Sequence, residues 1–257
     1  MLTLILFDLF LTAIVTGALY ITKKYANTEN AKRIAFLIAP LITLICHYIS
    51  FLRTVFMGGD AFSFLAKNPN LFMPAYPCNL VMWCTLLYGL LKDKETKLAK
   101  FLSDYIFWFG IAATLAGMFA NMDYIANPTL KDIEITKSIV AHAALLFNVL
   151  LIPVLGKLRI NFFDNLFNIV KSVILMFAVG VYCNFLFKAL DSAEMAYEVN
   201  AMFIIHSPFA ALPFLNFPPI AVIAIFLYAG VFTIIDVKRN PKGERWYNRV
   251  YDKLHNK

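Results

Sequence analysis

Seven apolar runs recur along the chain, each close to the ~20 residues needed to cross ~30 Å of hydrocarbon, with short polar stretches between them. They predict transmembrane helices at about 2–22, 34–57, 72–91, 101–121, 137–155, 166–188 and 218–235. The fold class that follows is all-α: one integral membrane domain over residues 1–257, built as a seven-helix bundle, with a short basic tail over 236–257. The stretch from Phe203 to Leu215 is too apolar for a solvated loop, and Pro208 and Pro213 break it too often for a regular crossing. It predicts a re-entrant or interfacial segment before the last helix, because irregular backbone at membrane depth needs protein or water around it. Gly110, Ala113 and Gly117 give the fourth span a small face suited to close helix contact. No internal repeat is evident.

The polar stretches alternate in charge. Lys23, Lys24, Lys32 and Arg33 fill the first; Lys92, Lys94, Lys97 and Lys100 the third; Lys157 and Arg159 the fifth; and Lys238, Arg239, Lys242, Arg245, Arg249, Lys253 and Lys257 the tail. The connections between them carry only Lys67, only Lys131, and, over 189–217, no Lys or Arg. Positively charged connections stay on the cytoplasmic side, so the pattern predicts a multi-pass protein of the cell membrane, N-terminus outside and C-terminus cytoplasmic. The first apolar run has no basic leader and reaches Thr22 before Lys23, which predicts a retained first span rather than a cleaved signal.

Composition agrees with this. Of the residues, 61% are hydrophobic and 15% charged, with a mean hydropathy of +0.70, well above the roughly 45–50% apolar content of soluble domains. The net charge of +7 lies between the spans rather than in a stripe with interleaved aromatics, so no nucleic acid partner is implied. Cys46, Cys78, Cys84 and Cys183 all fall inside apolar stretches, where a secreted-type disulfide framework does not fit.

Several catalytic signatures are missing: H-E-x-x-H, C-x-x-C, G-x-S-x-G, the Walker loop and the dinucleotide fingerprint. No histidine has an aspartate five residues on, and the last span lacks the lysine of a retinal Schiff base. What remains is a set of polar groups toward the outer ends of the spans: Cys78, His142, Asn121, Asp123 and Asn184. At 1.5 Å per residue, Cys78 lies roughly 9 Å inside Phe72 and His142 roughly 8 Å inside Lys137, so the two would meet if their helices are neighbours. Pro77 suits the first helical position, which makes Cys78 the second residue of a helix whose free N–H groups point toward it. Helix N-termini and a nearby imidazole favour a thiolate, and His142 is the base within range. Cys78 also reads as a small buried hydrophobe, and His142 as a residue bonding a neighbouring helix. Arg53 either snorkels or holds a phosphate. Asp8 is an outward-facing acid with no assigned partner.

The run Tyr76-Pro-Cys-Asn-Leu, the span end Asn121-Met-Asp123, the Ala141-His142-Ala143 element and Val179-Gly-Val-Tyr-Cys-Asn184 resemble the family of human transmembrane protein 164 and bacterial YwaF-like membrane proteins. The likeness is diffuse and runs from the third span to the last. It implies acyl transfer between lipids through a membrane-embedded cysteine and histidine, which fall here on Cys78 and His142. Many bacterial members have a histidine where this chain has Asn79, and a Lys-Pro where it has His206-Ser-Pro208. The resemblance thus favours the human-type arrangement at the cysteine.

Together these observations predict an acyltransferase. Cys78 and His142 are the catalytic pair, and Asn79, Asn121, Asp123, Asn184, Arg53 and His206 support the reaction or bind substrate. No metal or diffusible cofactor is called for. The partners are a phospholipid acyl donor and a lysophospholipid or lipoprotein acceptor, drawn from the outer leaflet. The rival is a transporter or lipid-binding protein using the same polar groups. A carrier needs groups reachable from both sides, and the cytoplasmic halves of the spans read as nearly devoid of polar candidates.

Overall fold

In the computed structural model, residues 2–68, 71–119, 129–189, 200–208 and 211–255 are described. They form helices α1 (Leu2–Tyr25), α2 (Glu29–Phe56), α3 (Ala61–Lys67), α4 (Pro77–Leu90), α5 (Lys97–Phe119), α6 (Ile133–Val154), α7 (Phe162–Ala189), α8 (Phe217–Arg239) and α9 (Trp246–His255), with 3₁₀ turns at Ala201–Phe203 and Lys242–Glu244. No strand occurs among the described residues. Six helices, α1, α2, α5, α6, α7 and α8, are long and apolar enough to cross a membrane. The protein is a polytopic helical membrane bundle.

The third predicted span is shorter than its hydropathy suggests. Only the 14 residues Pro77–Leu90 are helical, about 21 Å of rise, and residues 72–76 are not part of the helix. Other helices overrun the predicted edges, because an apolar run ends with the hydrocarbon whereas a helix continues to its polar cap. Thr28 accepts from the Ala31 N–H (3.1 Å) and starts α2 ahead of residue 34; Asp132 accepts from the Glu134 N–H (2.8 Å) and starts α6 ahead of residue 137. Asp60 caps α3 in the same way.

α6 is the centre of the bundle, packed by α1, α2, α4 and α5, while α7 joins α5 to the peripheral α8. Ile139, Val149, Leu151 and Ile152 of α6, Val81 of α4 and Tyr105 and Ile106 of α5 are fully buried. Large exposed hydrophobics such as Phe10, Ile45, Phe185 and Phe226 lie on α1, α2, α7 and α8, as a lipid-facing belt requires. The small face of α5 lets it approach α6. A Cβ at Gly110 would stand 2.6 Å from Val149 Cγ2, and one at Gly117 would overlap the His142 ring. A third close approach joins α4 to α2. Pro40 lacks the N–H that would bond the Phe36 carbonyl, and a Cβ at Gly89 would run into that carbonyl.

Three polar contacts, two of them fully buried, tie helices together. Asn148 Nδ2 donates to Thr43 Oγ1 (2.7 Å), joining α6 to α2. Asp104 of α5 accepts from Asn165 Nδ2 (2.9 Å) and Asn168 Nδ2 (2.7 Å) of α7. These groups correct the expectation that the cytoplasmic-side halves of the spans lack polar candidates. Each reads singly as an isolated polar residue in an apolar run, and only packing shows that they meet.

The basic connections gather at one end of the bundle. Lys157 Nζ bonds Glu29 Oε2 (2.9 Å) and Arg159 bonds Glu95 (2.6 Å), which brings the first, third and fifth connections together. The tail folds back against the same end. The Trp246 ring stacks on Phe162 at 4.3 Å, its backbone N–H donates to Asp236 Oδ2 (2.8 Å), and Arg249 pairs with Asp236 (3.4 Å).

Candidate functional site

Cys78 lies at the opposite end. Tyr76 precedes α4 in extended conformation without a side-chain cap, and Pro77 opens the helix, so its first-turn N–H groups are left to whatever side chain lies there. The Cys78 thiol donates to Asn79 Oδ1 at 3.8 Å. Cys78 is half-buried and Asn79 is buried.

The segment just before α4 meets the irregular stretch expected ahead of the last helix. The Met202 N–H donates to the Ala75 carbonyl (2.7 Å), and the Tyr76 and Phe203 rings lie 6.0 Å apart. Met202 and Phe203 both have positive φ, 53° and 57°, a left-handed conformation that costs non-glycine residues energy. The surroundings hold it in place. Asn184 of α7 spends both sides of its carboxamide on Ala201, accepting from its N–H (2.9 Å) and donating to its carbonyl (3.1 Å). Asn200 accepts from the N–H groups of Ile205 (2.9 Å) and His206 (3.2 Å) and donates to the His206 carbonyl (2.7 Å). Gly180 makes room, since a Cβ there would stand 2.8 Å from Met202 Cβ. Cys78, Asn79, Asn184 and the segment bearing His206 therefore share one end of the bundle, with Asn184 serving as a backbone clamp.

His142 sits elsewhere on that end, in the seam between α5 and α6, with its ring on Gly117. Its Nδ1 lies 2.8 Å from the Ser138 carbonyl. A carbonyl only accepts, so Nδ1 carries the proton and Nε2 keeps its lone pair. No hydrogen bond joins Cys78 to His142 among the described residues. A second histidine, His47 of α2, bonds the Leu71 carbonyl through Nε2 (3.3 Å), beside Tyr48 Oη at 2.7 Å from the same oxygen.

The remaining sequence candidates fall as follows. Arg53 is exposed in the last turn of α2, and His206 is exposed on its segment. Asn121 and Asp123 lie outside the described residues. Cys84 and Cys183 are buried, the latter in a small cluster with Ala75, Phe187 and Ala201. Asp8 does not face outward as expected. It is 4% exposed, turned inward on α1, and its Oδ1 has no hydrogen-bond partner among the described residues. No group of three or more His, Cys, Asp or Glu able to hold a metal occurs among the described residues. Asn200 and Gly180, which shape the irregular segment, were not singled out as site residues. Gly180 lies inside a quoted motif, and Asn200 stands in the connection that carries no positive charge.

The fold and this polar end define a multi-pass helical membrane protein with a thiol on a helix N-terminus. No family model matches the chain, and no curated protein and no solved structure matches it.

Proposed function

We propose that the protein is a membrane-embedded acyltransferase that carries a fatty acyl chain on Cys78 as a thioester. The observation that supports it most is the position of the thiol: Cys78 is the second residue of α4, on a first turn without a side-chain cap. An imidazole with its proton committed on Nδ1 and a free Nε2 lies at the same end. The likeness to the family of transmembrane protein 164 adds the same two residues.

His142 Nε2 takes the thiol proton, and the sulfur attacks an ester carbonyl of a phospholipid. First-turn N–H groups of α4 stabilise the oxyanion. Collapse breaks the C–O bond, and the departing lysophospholipid oxygen takes the proton from the imidazolium. An acceptor amine or hydroxyl then gives its proton to His142 and attacks the thioester, returning the sulfur. A general base acts within hydrogen-bond reach or through one water, and catalytic hydrogen bonds are commonly long before the transition state is reached. The acyl donor is a phospholipid and the acceptor a lysophospholipid or a lipoprotein amine. With the basic end in the cytoplasm of a cell-membrane protein, both come from the outer leaflet.

The test is turnover by purified protein in vesicles carrying a phospholipid with an isotope-labelled acyl chain and a lysophospholipid or lipopeptide acceptor. Labelled product that disappears in Cys78→Ser supports the proposal; no product with either acceptor counts against it. A carrier is the second reading, favoured by the buried Asp104, Asn148 and Asn165 and the half-buried Asn168, which place polar groups in the other half of the spans. A carrier moves solute without forming an acyl-protein.

A further inference from the structure

The basic end of the bundle holds a second concave site, independent of the acyl-transfer proposal. A pocket of ≈ 160 Å³ is lined by Glu29, Lys32, Arg33 and Phe36 at the start of α2, Lys92 and Lys94 after α4, and Lys157 after α6. A water takes up about 30 Å³, so a phosphate-sized anion fits. Basic residues near membrane ends usually report topology alone, and such residues have no reason to converge from three connections on one hollow.

The charges there are not balanced. Glu29 is the single carboxylate among the lining residues, and it is already shared by Lys32 (2.7 Å) and Lys157 (2.9 Å). Arg33 and Lys92 have no hydrogen bond or ion pair among the described residues. Lys94 is half-buried without a carboxylate partner. Its ammonium donates to the carbonyls of Tyr88, Gly89 (3.3 Å) and Leu91 (2.7 Å) at the end of α4, and lies 4.4 Å from the Tyr88 ring centre. The carbonyls and the ring hold this cation at the pocket wall. Burial first, and then the neighbouring Arg33 and Lys157, lower its pKa from 10.5 to about 8. An anion in the pocket would relieve the repulsion from those two cations.

We infer that this pocket binds a phosphate-bearing ligand, held by Arg33 and Lys92, with Lys94 adding its positive charge from the pocket wall. The chemistry is shared by a lipid phosphomonoester headgroup and a soluble phosphate. Arg33 offers the two-pronged donor that phosphate oxygens accept, and the lysines offer point charges.

The experiment uses the full-length protein in nanodiscs. Binding of a fluorescent phosphatidic acid is measured by equilibrium titration, with inorganic phosphate as competitor, against a phosphatidylcholine background. Saturable binding weakened roughly tenfold or more in the double variant Arg33→Gln, Lys92→Gln is expected. Both residues are exposed and unpaired, so the fold should survive, and an unchanged melting temperature confirms it. Lys23→Gln, Lys24→Gln removes two charges elsewhere in the basic connections and should leave binding unchanged. Displacement by millimolar phosphate assigns the site to soluble phosphates; resistance to it assigns the site to the lipid headgroup. Equal weakening by both double variants would reduce the effect to diffuse surface charge and overturn the inference. So would the absence of saturable binding by either probe.

Discussion

Substitution of Gly117 by alanine tests the placement of His142 without touching the imidazole itself. A Cβ at position 117 would lie 2.8 Å from His142 Cε1 and overlap Cδ2 and Nε2, whereas ordinary contact begins at 3.4 Å. The ring must retreat by roughly 1 Å, a misplacement that costs a positioned catalytic group about 10²-fold in rate. Stability should fall by no more than about 2 kcal/mol. Overpacking costs about 1–3 kcal/mol, while replacing glycine in a helix interior returns about 1 kcal/mol. The assay is the rate of acyl labelling of Cys78 from a labelled phospholipid, alongside thermal unfolding of the same preparation. Gly230→Ala is the control, because a Cβ there meets nothing within 4 Å. A folded Gly117→Ala protein that labels at the wild-type rate would refute the argument and leave His142 as a packing residue.

Other expectations follow from separate parts of the structure. Gly89→Ala should destabilise the protein by about 1–3 kcal/mol, because the new methyl group meets backbone at Phe36 rather than a yielding side chain; thermal unfolding in detergent reads this, and an unchanged midpoint would deny the close approach of α2 and α4. Asn168→Ala removes one of the donors to the buried Asp104 carboxylate and should cost about 1.5–3 kcal/mol by the same measurement, as hydrogen bonds to charged groups do. Anion binding at the basic pocket should weaken as pH rises through about 8, where Lys94 loses its charge beside Arg33, Lys92, Lys32 and Lys157, with Glu29 held ionised by its bonds to Lys32 and Lys157. Binding that is flat up to pH 10 would show that Lys94 takes no part.

The helical membrane architecture was legible in the sequence because the bilayer imposes its thickness on every span, and charge marks the intervening connections. Helix ends were less legible, since Thr28 and Asp132 extend α2 and α6 beyond the apolar runs. The short α4 was hidden by the apolar residues 72–76, which are not coiled into helix and of which Ala75 is buried against the 201–203 turn. Pro77 as helix starter was readable from local chemistry alone, and Gly110 and Gly117 as a packing face from their spacing. The partners of single polar residues were not readable. Nothing local to Asn184 reveals that it clamps Ala201, or local to Asp104 that Asn165 and Asn168 receive it, because those contacts depend on helix rotation. The convergence of Arg33, Lys92 and Lys94 was invisible for the same reason, since a tally of positive charge per connection carries no direction.

The central claim is an acyl chain on Cys78, and site-resolved mass spectrometry tests it most directly. Purified protein in vesicles of phospholipid with an isotope-labelled acyl chain is quenched in acid without acceptor, digested and mapped, with and without hydroxylamine. The account predicts a hydroxylamine-labile acyl mass on the peptide containing Cys78, kept in Cys84→Ser and lost in Cys78→Ser together with turnover. A thioester on Cys84 or Cys183 instead, or full turnover by Cys78→Ser, would contradict it.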